Sequence, residues 1–153
     1  MSHPHIKTCI IYDIDGTLAD ISHRKHFIEG EVKDWKSFNA NCVSDEPIPE
    51  MVDRIKLDIE EEKHWVFLMT GRSAEYREIT EQWMTKHGIY HDGLLMRNEG
   101  DYRPDTEVKK QFGRLIQERG LEIIEVYEDR PSVIRMWRSI GVPVTDVGDG
   151  VEF

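Results

Sequence analysis

The sequence predicts an α/β fold: a five-stranded parallel sheet with helices on both faces and a small helical cap inserted after the first strand. Three observations carry that expectation. Short apolar runs alternate with longer amphipathic runs along the 153 residues, the pattern of strands feeding helices in a parallel sheet. The amphipathic runs carry proline and glycine where helices start and stop. The stretch 20–47 breaks this alternation directly after the first apolar run.

Strands are expected at 6–14, 64–69, 93–96, 123–127 and 142–145, with helices at 48–62, 74–87, 106–119 and 131–140. Pro49 stands near a helix start, where its missing amide hydrogen costs nothing, and Gly88, Gly120 and Gly141 follow helix ends. The 20–47 segment is polar and aromatic, with His23, Arg24, His26, Phe27, Trp35 and Phe38. Ligands of such Rossmann-like sheets bind beyond the carboxyl ends of the strands. An insertion at this point hangs over that edge and reads as a cap. A packed helical excursion without substrate contact is the competing reading. No internal repeat or low-complexity tract divides the chain, so one domain over 1–153 is expected.

Composition narrows the function. The formal net charge is −10, which argues against a broad surface for long nucleic acid, since such binding rests on phosphate neutralisation by Lys and Arg. A local basic pocket holding one phosphorylated end is not excluded. No apolar stretch approaches the roughly 20 residues of a membrane span, and residues 1–5 lack a signal-peptide pattern. Cys9 and Cys42 form neither a disulfide framework nor a zinc pattern, which fits a reducing cytoplasm.

Four short elements carry chemistry. In the first, Ile10-Ile11-Tyr12-Asp13-Ile14-Asp15-Gly16-Thr17-Leu18, an apolar run delivers two carboxylates into a Gly-Thr turn. Buried acids are costly unless they are paired or bind a cation. At alternate positions of an extended chain, Asp13 and Asp15 point the same way. One can attack phosphorus, forming an aspartyl-phosphate, while the other protonates the leaving oxygen and then activates water. Thr17 can offer a hydroxyl near the phosphate. In the second element, Phe67-Leu68-Met69-Thr70-Gly71-Arg72, Thr70 can donate to a phosphoryl oxygen and Arg72 can pair with phosphate. The helix expected next would add its amides. In the third, Asp105 and Lys109 are one helical turn apart. Lys109 can offset the repulsion between Asp13 and phosphate, and Asp105 can orient Lys109 or Arg72. A solvated helix-surface pair is the plain alternative. In the fourth, Val126-Tyr127-Glu128-Asp129, a further strand ends in acids. Asp129 can complete an octahedral magnesium site with Asp13 and the backbone carbonyl of Asp15, and Glu128 can bind through water or orient the other ligands.

In order and type, these residues resemble the motifs of the haloacid dehalogenase-like phosphohydrolases: Asp13 and Asp15, then Thr70, Lys109, and Glu128 with Asp129. Within that superfamily, the chain is similar to the 3′-phosphatase domains of phage polynucleotide kinase-phosphatases. Arg24, Thr70-Gly71-Arg72, the Asp105/Lys109 pair and the run from Glu128 to Val142 carry the likeness. The resemblance implies Asp13 as nucleophile, Asp15 as acid/base, and Arg24, Arg72 and Asp105 in the active site. Glu128 departs from the usual Asp-Asp pair. The chain has no Gly-x-x-x-x-Gly-Lys-Ser/Thr loop, so kinase activity is not expected of it.

The leading expectation is a magnesium-dependent phosphomonoesterase acting on the 3′-phosphate of a polynucleotide end, with Arg24, Lys25, Arg72 and Arg103 as cations near the terminal phosphate. The alternatives are a nucleotidase on nucleoside monophosphates, which the net charge favours, and a phosphoryl-accepting signalling domain. Asp15 argues against the last, because an acid beside the phosphoacceptor promotes turnover. The residues leave the leaving group and the oligomeric state open.

Overall fold

Residues 4–153 are described in a computed structural model of the chain; part of the polar start at 1–5 lies outside them. Strand β1 (Thr8–Tyr12) is fully buried along Cys9–Tyr12. It is shorter than the 6–14 read from the sequence, because the chain turns at Ile14. The Ile14 carbonyl accepts from the amides of Thr17, Leu18 and Ala19 at 3.1, 2.9 and 3.0 Å, which ends the extended conformation before Asp15.

The inserted segment leaves and re-enters through a two-stranded antiparallel ribbon of β2 (Ala19–Asp20) and β3 (Glu46–Pro47). Between them lie a 3-10 helix (Ser22–Ile28), α1 (Trp35–Ala40) and a second 3-10 turn (Asn41–Ser44). Asp34 caps α1, its carboxylate accepting from the Ser37 amide at 3.0 Å. The segment packs on a small apolar cluster of Ile21, Ile28 and Phe38.

Helices and strands then alternate: α2 (Pro49–Glu61), β4 (Trp65–Ser73), α3 (Arg77–Lys86), β5 (Gly93–Arg97), α4 (Asp105–Glu118), β6 (Glu122–Glu128), α5 (Pro131–Ser139) and β7 (Val144–Asp146). Helix α2 starts at Pro49, as the sequence suggested. The chain after the insertion differs at one functionally relevant place. Strand β4 continues through Thr70, Gly71 and Arg72 to Ser73, and a 3-10 turn (Ala74–Tyr76) precedes α3. The helix expected at 74–87 therefore starts later and offers no amides next to Thr70.

The five parallel strands are ordered β5-β4-β1-β6-β7. Strand β1 is central, with Tyr12 level with Leu68 of β4 and Tyr127 of β6. Its alternate residues feed two cores. Ile10 and Tyr12 pack with Met51, Val52 and Ile55 of α2 and with Trp83 and Met84 of α3. Cys9 and Ile11 pack with Ile116 of α4 and with Val133, Met136 and Trp137 of α5. One helix pair thus covers each face. From β1 the chain first builds outward on one side and later returns to build on the other. The carboxyl end of β1 is thus the point where the sheet order reverses, and a crevice opens there.

Candidate active site

All four sequence elements meet at that crevice. Asp13, one residue beyond β1, donates its amide to the Tyr127 carbonyl at 3.0 Å, so the neighbouring strand fixes its backbone. Its carboxylate accepts from Lys109 Nζ at 2.8 Å and from Thr17 Oγ1 at 3.0 Å. The tight turn brings Thr17 back, so its hydroxyl supports Asp13. Lys109, on α4, is buried and also donates to Glu128 at 2.8 Å, with Asp105 at 3.5 Å. Burial opposes the charge on Lys109, but the carboxylates of Asp105, Asp13 and Glu128 outweigh it and raise its proton affinity well above normal. Lys109 is thus a fixed cation, and the solvated-pair reading of Asp105 and Lys109 does not hold.

Asp13, Glu128 and Asp129 each place a carboxylate oxygen within 4.8 Å of the others, and all three are buried. Burial first, then the neighbouring acids, push the carboxyls of Asp13 and Asp129 well above the ordinary carboxylate range. The Asp129 Oδ1 atom is buried without a hydrogen-bond partner. Gly16, in a left-handed conformation with φ 82°, makes room for this acid, because a Cβ there would lie 1.9 Å from Asp129 Oδ2. A cluster of buried acids with an orphaned oxygen suits a hard divalent cation. Glu128 is otherwise engaged: its second oxygen accepts from the amides of Asp129 and Arg130 at 3.0 and 3.1 Å. Its side chain thus ties Lys109 to the end of β6.

Asp15 faces a separate set of partners. Arg24 donates to its Oδ1 at 2.5 Å and Arg72 at 2.6 Å. Burial would raise this carboxyl, but Arg72 and Arg24 outweigh it and hold it well below its usual range. Arg24 is wholly buried. It is gripped from behind by Asp45, at 2.7 and 2.6 Å, and by the Phe38 carbonyl at 3.1 Å, and it stacks on the Phe38 ring at 4.2 Å. Arg72, also buried, donates to Thr80 Oγ1 at 3.0 Å. Both guanidiniums therefore aim at Asp15 and do not stand open to solvent. Thr70 is buried and its Oγ1 accepts from the Arg72 amide at 3.2 Å.

Gly71 has a spatial reason of its own: a Cβ there would meet Asp105 Oδ1 at 2.1 Å. Asp105 faces Lys109, Arg97 at 3.4 Å and Arg130 at 3.5 Å, so of the two cations considered from the sequence it orients Lys109 and not Arg72. Arg103, read as a cation for the terminal phosphate, is exposed and paired with Asp101 at 2.7 Å. Lys25 lies over the ring of Phe153. The sequence reading missed Asp45, Arg97 and Arg130. Asp45 stands in a polar stretch without periodicity and gave no signal. Arg97 closes an apolar strand, as Arg72 nearly does, and that position could have flagged it.

The residues border a cleft of about 780 Å³ walled by both the insertion and the segment 97–105. A family model for the polynucleotide kinase PNKP phosphatase domain matches residues 7–152. The chain belongs to this family. Its resemblance extends to a protein of Autographa californica nuclear polyhedrosis virus named as a bifunctional polynucleotide kinase/RNA ligase, 27% identical over 136 residues, which cover 88% of this chain and 18% of that one. Among solved structures, a chain of the Pnkp1/Rnl/Hen1 RNA repair complex superposes with a TM-score of 0.81 at 27% identity, over 97% of this chain and 44% of the other. The chain thus spans less than half the length of these relatives. A haloacid dehalogenase-like hydrolase from Streptococcus pneumoniae shares the fold, with a TM-score of 0.64 at 15% identity over 94% of this chain and 86% of that one. The chain is a haloacid dehalogenase-like phosphatase domain of the PNKP type, and the signalling-domain alternative falls away. No helix among the described residues is long and apolar enough to cross a membrane.

Proposed function

We propose that this phosphatase domain removes the 3′-phosphate from polynucleotide ends through an aspartyl-phosphate on Asp13, with magnesium. The observation that carries the reading is the pairing of Asp13 with Lys109 at 2.8 Å, beside a buried acid cluster, in a chain of the PNKP phosphatase family. Asp13, Asp129 and the Asp15 backbone carbonyl would hold the cation. When bound, it would neutralise phosphoryl charge and hold the phosphate in line with Asp13.

The chain's own residues have separable tasks. Lys109 favours the ionised form of Asp13, opposing burial and the neighbouring acids, and offsets its repulsion toward phosphate. Asp13 Oδ attacks phosphorus, and the P–O bond to the sugar breaks as the pair passes to the leaving oxygen. Asp15, ionised in the free enzyme, takes a proton from solvent as the phosphate binds and passes it to that oxygen. An incoming phosphoryl group raises the proton affinity of Asp15 by adding negative charge and by competing for Arg72. Once the alcohol departs, Asp15 takes a proton from water, which attacks the aspartyl-phosphate and restores Asp13. Arg24 and Asp45 hold Asp15 in place throughout. Cys9 and Cys42 are both buried free thiols, which supports a reducing cytoplasm.

Phosphate release should be measured with magnesium from a 3′-phosphorylated oligonucleotide, a matched 5′-phosphorylated one and a set of mononucleotides. The first should win by kcat/KM. A clear preference for 5′-mononucleotides would make the protein a nucleotidase. Gly71→Ala provides a check on the site: the added methyl displaces Asp105 from Lys109 and Arg97. An error of about 1 Å in catalytic geometry costs roughly 100-fold in rate, so kcat should fall by about that factor. A kcat within twofold of the parent would remove Asp105 from the argument.

A further inference from the structure

The catalytic centre accounts for the floor of the cleft but not for its rim. Two large aromatic side chains stand there in water, Tyr102 at 93% and Trp35 at 41% exposure, and both line the cleft. They come from different segments. Trp35 opens α1 in the insertion, and Tyr102 lies between β5 and α4. Trp35 is braced through its ring and Tyr102 through its backbone. Trp35 packs edge-on against Phe38 with ring centres 5.6 Å apart, and Phe38 lies under Arg24. The backbone around Tyr102 is held by Arg97, which donates to the carbonyls of Gly71 at 2.8 Å, of Asp101 at 3.2 Å and of Arg103. An exposed ring on a braced backbone offers a flat apolar face at little ordering cost.

The charges around these rings narrow the ligand. Beyond the catalytic floor, the acids Glu75, Glu99, Asp101 and Asp105 balance the cations Lys36, Arg97, Arg103 and Arg130 in the cleft walls, so no net positive track awaits a long phosphodiester. An aromatic face attracts the π-face of any base, whatever its sequence. We propose that Trp35 and Tyr102 form a stacking platform for the base of the nucleotide that carries the phosphate, and for at most its neighbour. The enzyme thus recognises an end by its last bases and not by the backbone that follows. This rests on the end-directed reading given above.

The test compares an oligonucleotide ending in a normal 3′-phosphorylated nucleotide with the same strand ending in a stable base-free tetrahydrofuran 3′-phosphate. The ratio of their kcat/KM values is the readout. One stacked base supplies roughly 10- to 100-fold, and the ratio should lie in that range. It should collapse toward one in Trp35→Leu and in Tyr102→Ala, while Trp35→Phe, which keeps a ring, retains most of it. The salt slope of kcat/KM should correspond to no more than about two phosphates. A ratio near one in the parent enzyme, or a ratio unmoved by both ring deletions, overturns the proposal while leaving the 3′-phosphatase reading intact. A salt slope of three or more phosphates also overturns it. Release from 5′-mononucleotides alone, with both 3′ strands inert, sinks the end-directed reading, and the platform with it.

Discussion

Asp13→Asn should lower phosphate release by on the order of 10⁴-fold or more, the loss expected when a covalent nucleophile is removed, and should leave the protein folded. The carboxamide keeps the shape of the side chain and can still accept from Thr17. Lys109 retains Glu128 at 2.8 Å and Asp105 at 3.5 Å, so no buried cation is left alone. The substitution also removes one negative charge from a crowded cluster, so the metal-free variant should be at least as heat-stable as its parent at pH 8. Acid-quenched parent enzyme should carry a hydroxylamine-sensitive phosphoryl group that the variant lacks. Substantial turnover in the variant would remove Asp13 from its assigned role.

The second large effect concerns the cation. In the metal-free protein, Asp13 and Asp129 hold protons more tightly than an unfolded carboxyl, whose pKa is about 3.9. Above that pH the folded state therefore binds more protons than the unfolded one, and stability falls as pH rises. A divalent cation displaces those protons, so its affinity and its stabilising effect grow with pH. At a concentration about 100 times Kd, the gain is about 2.7 kcal/mol. At roughly 2–4 °C per kcal/mol for a chain of this size, that is a Tm rise of about 5–10 °C, larger at pH 8 than at pH 6. Asp129→Asn should raise the metal-free Tm at pH 8, flatten its decline with pH, and abolish the magnesium effect. A magnesium-induced rise that survives this change would move the cation elsewhere.

The strand-end acids were legible because burial is written in apolar runs, and an acid at the end of such a run must be paired or bind a cation. Asp13, Asp129 and the strand that leads to Thr70 followed from that logic, while the helix boundaries near Pro49, Gly88, Gly120 and Gly141 followed from the backbone preferences of proline and glycine. The insertion was legible as a departure from the pattern but not as a structure, since its 3-10 turns have no apolar period. Arg24 matched a spacing, yet nothing local told that it would be wholly buried. Its burial depends on Asp45, which is distant in sequence and stands among polar residues. The same holds for Arg72: a β-strand that runs four residues further turns its guanidinium onto Asp15, and only the pairing of β4 with β5 decides where the strand stops.

The ribbon of Ala19–Asp20 with Glu46–Pro47 makes residues 21–45 a cassette with adjacent ends. Exchanging such a piece alters loop closure only slightly, because that entropy depends weakly on length. The sheet, its two cores and the nucleophile all lie outside it. A graft could thus bring a new rim in one step, and with it a new choice of what is bound, on an unchanged reaction centre. Three positions set the terms of any such exchange. The donor segment must carry an arginine shortly after entry, an aromatic residue beneath it and an acid shortly before exit, as Arg24, Phe38 and Asp45 stand here, or Asp15 keeps only Arg72. Diversification of this scaffold is thereby constrained at both ends of the insertion and at the ring beneath Arg24, and free elsewhere in it.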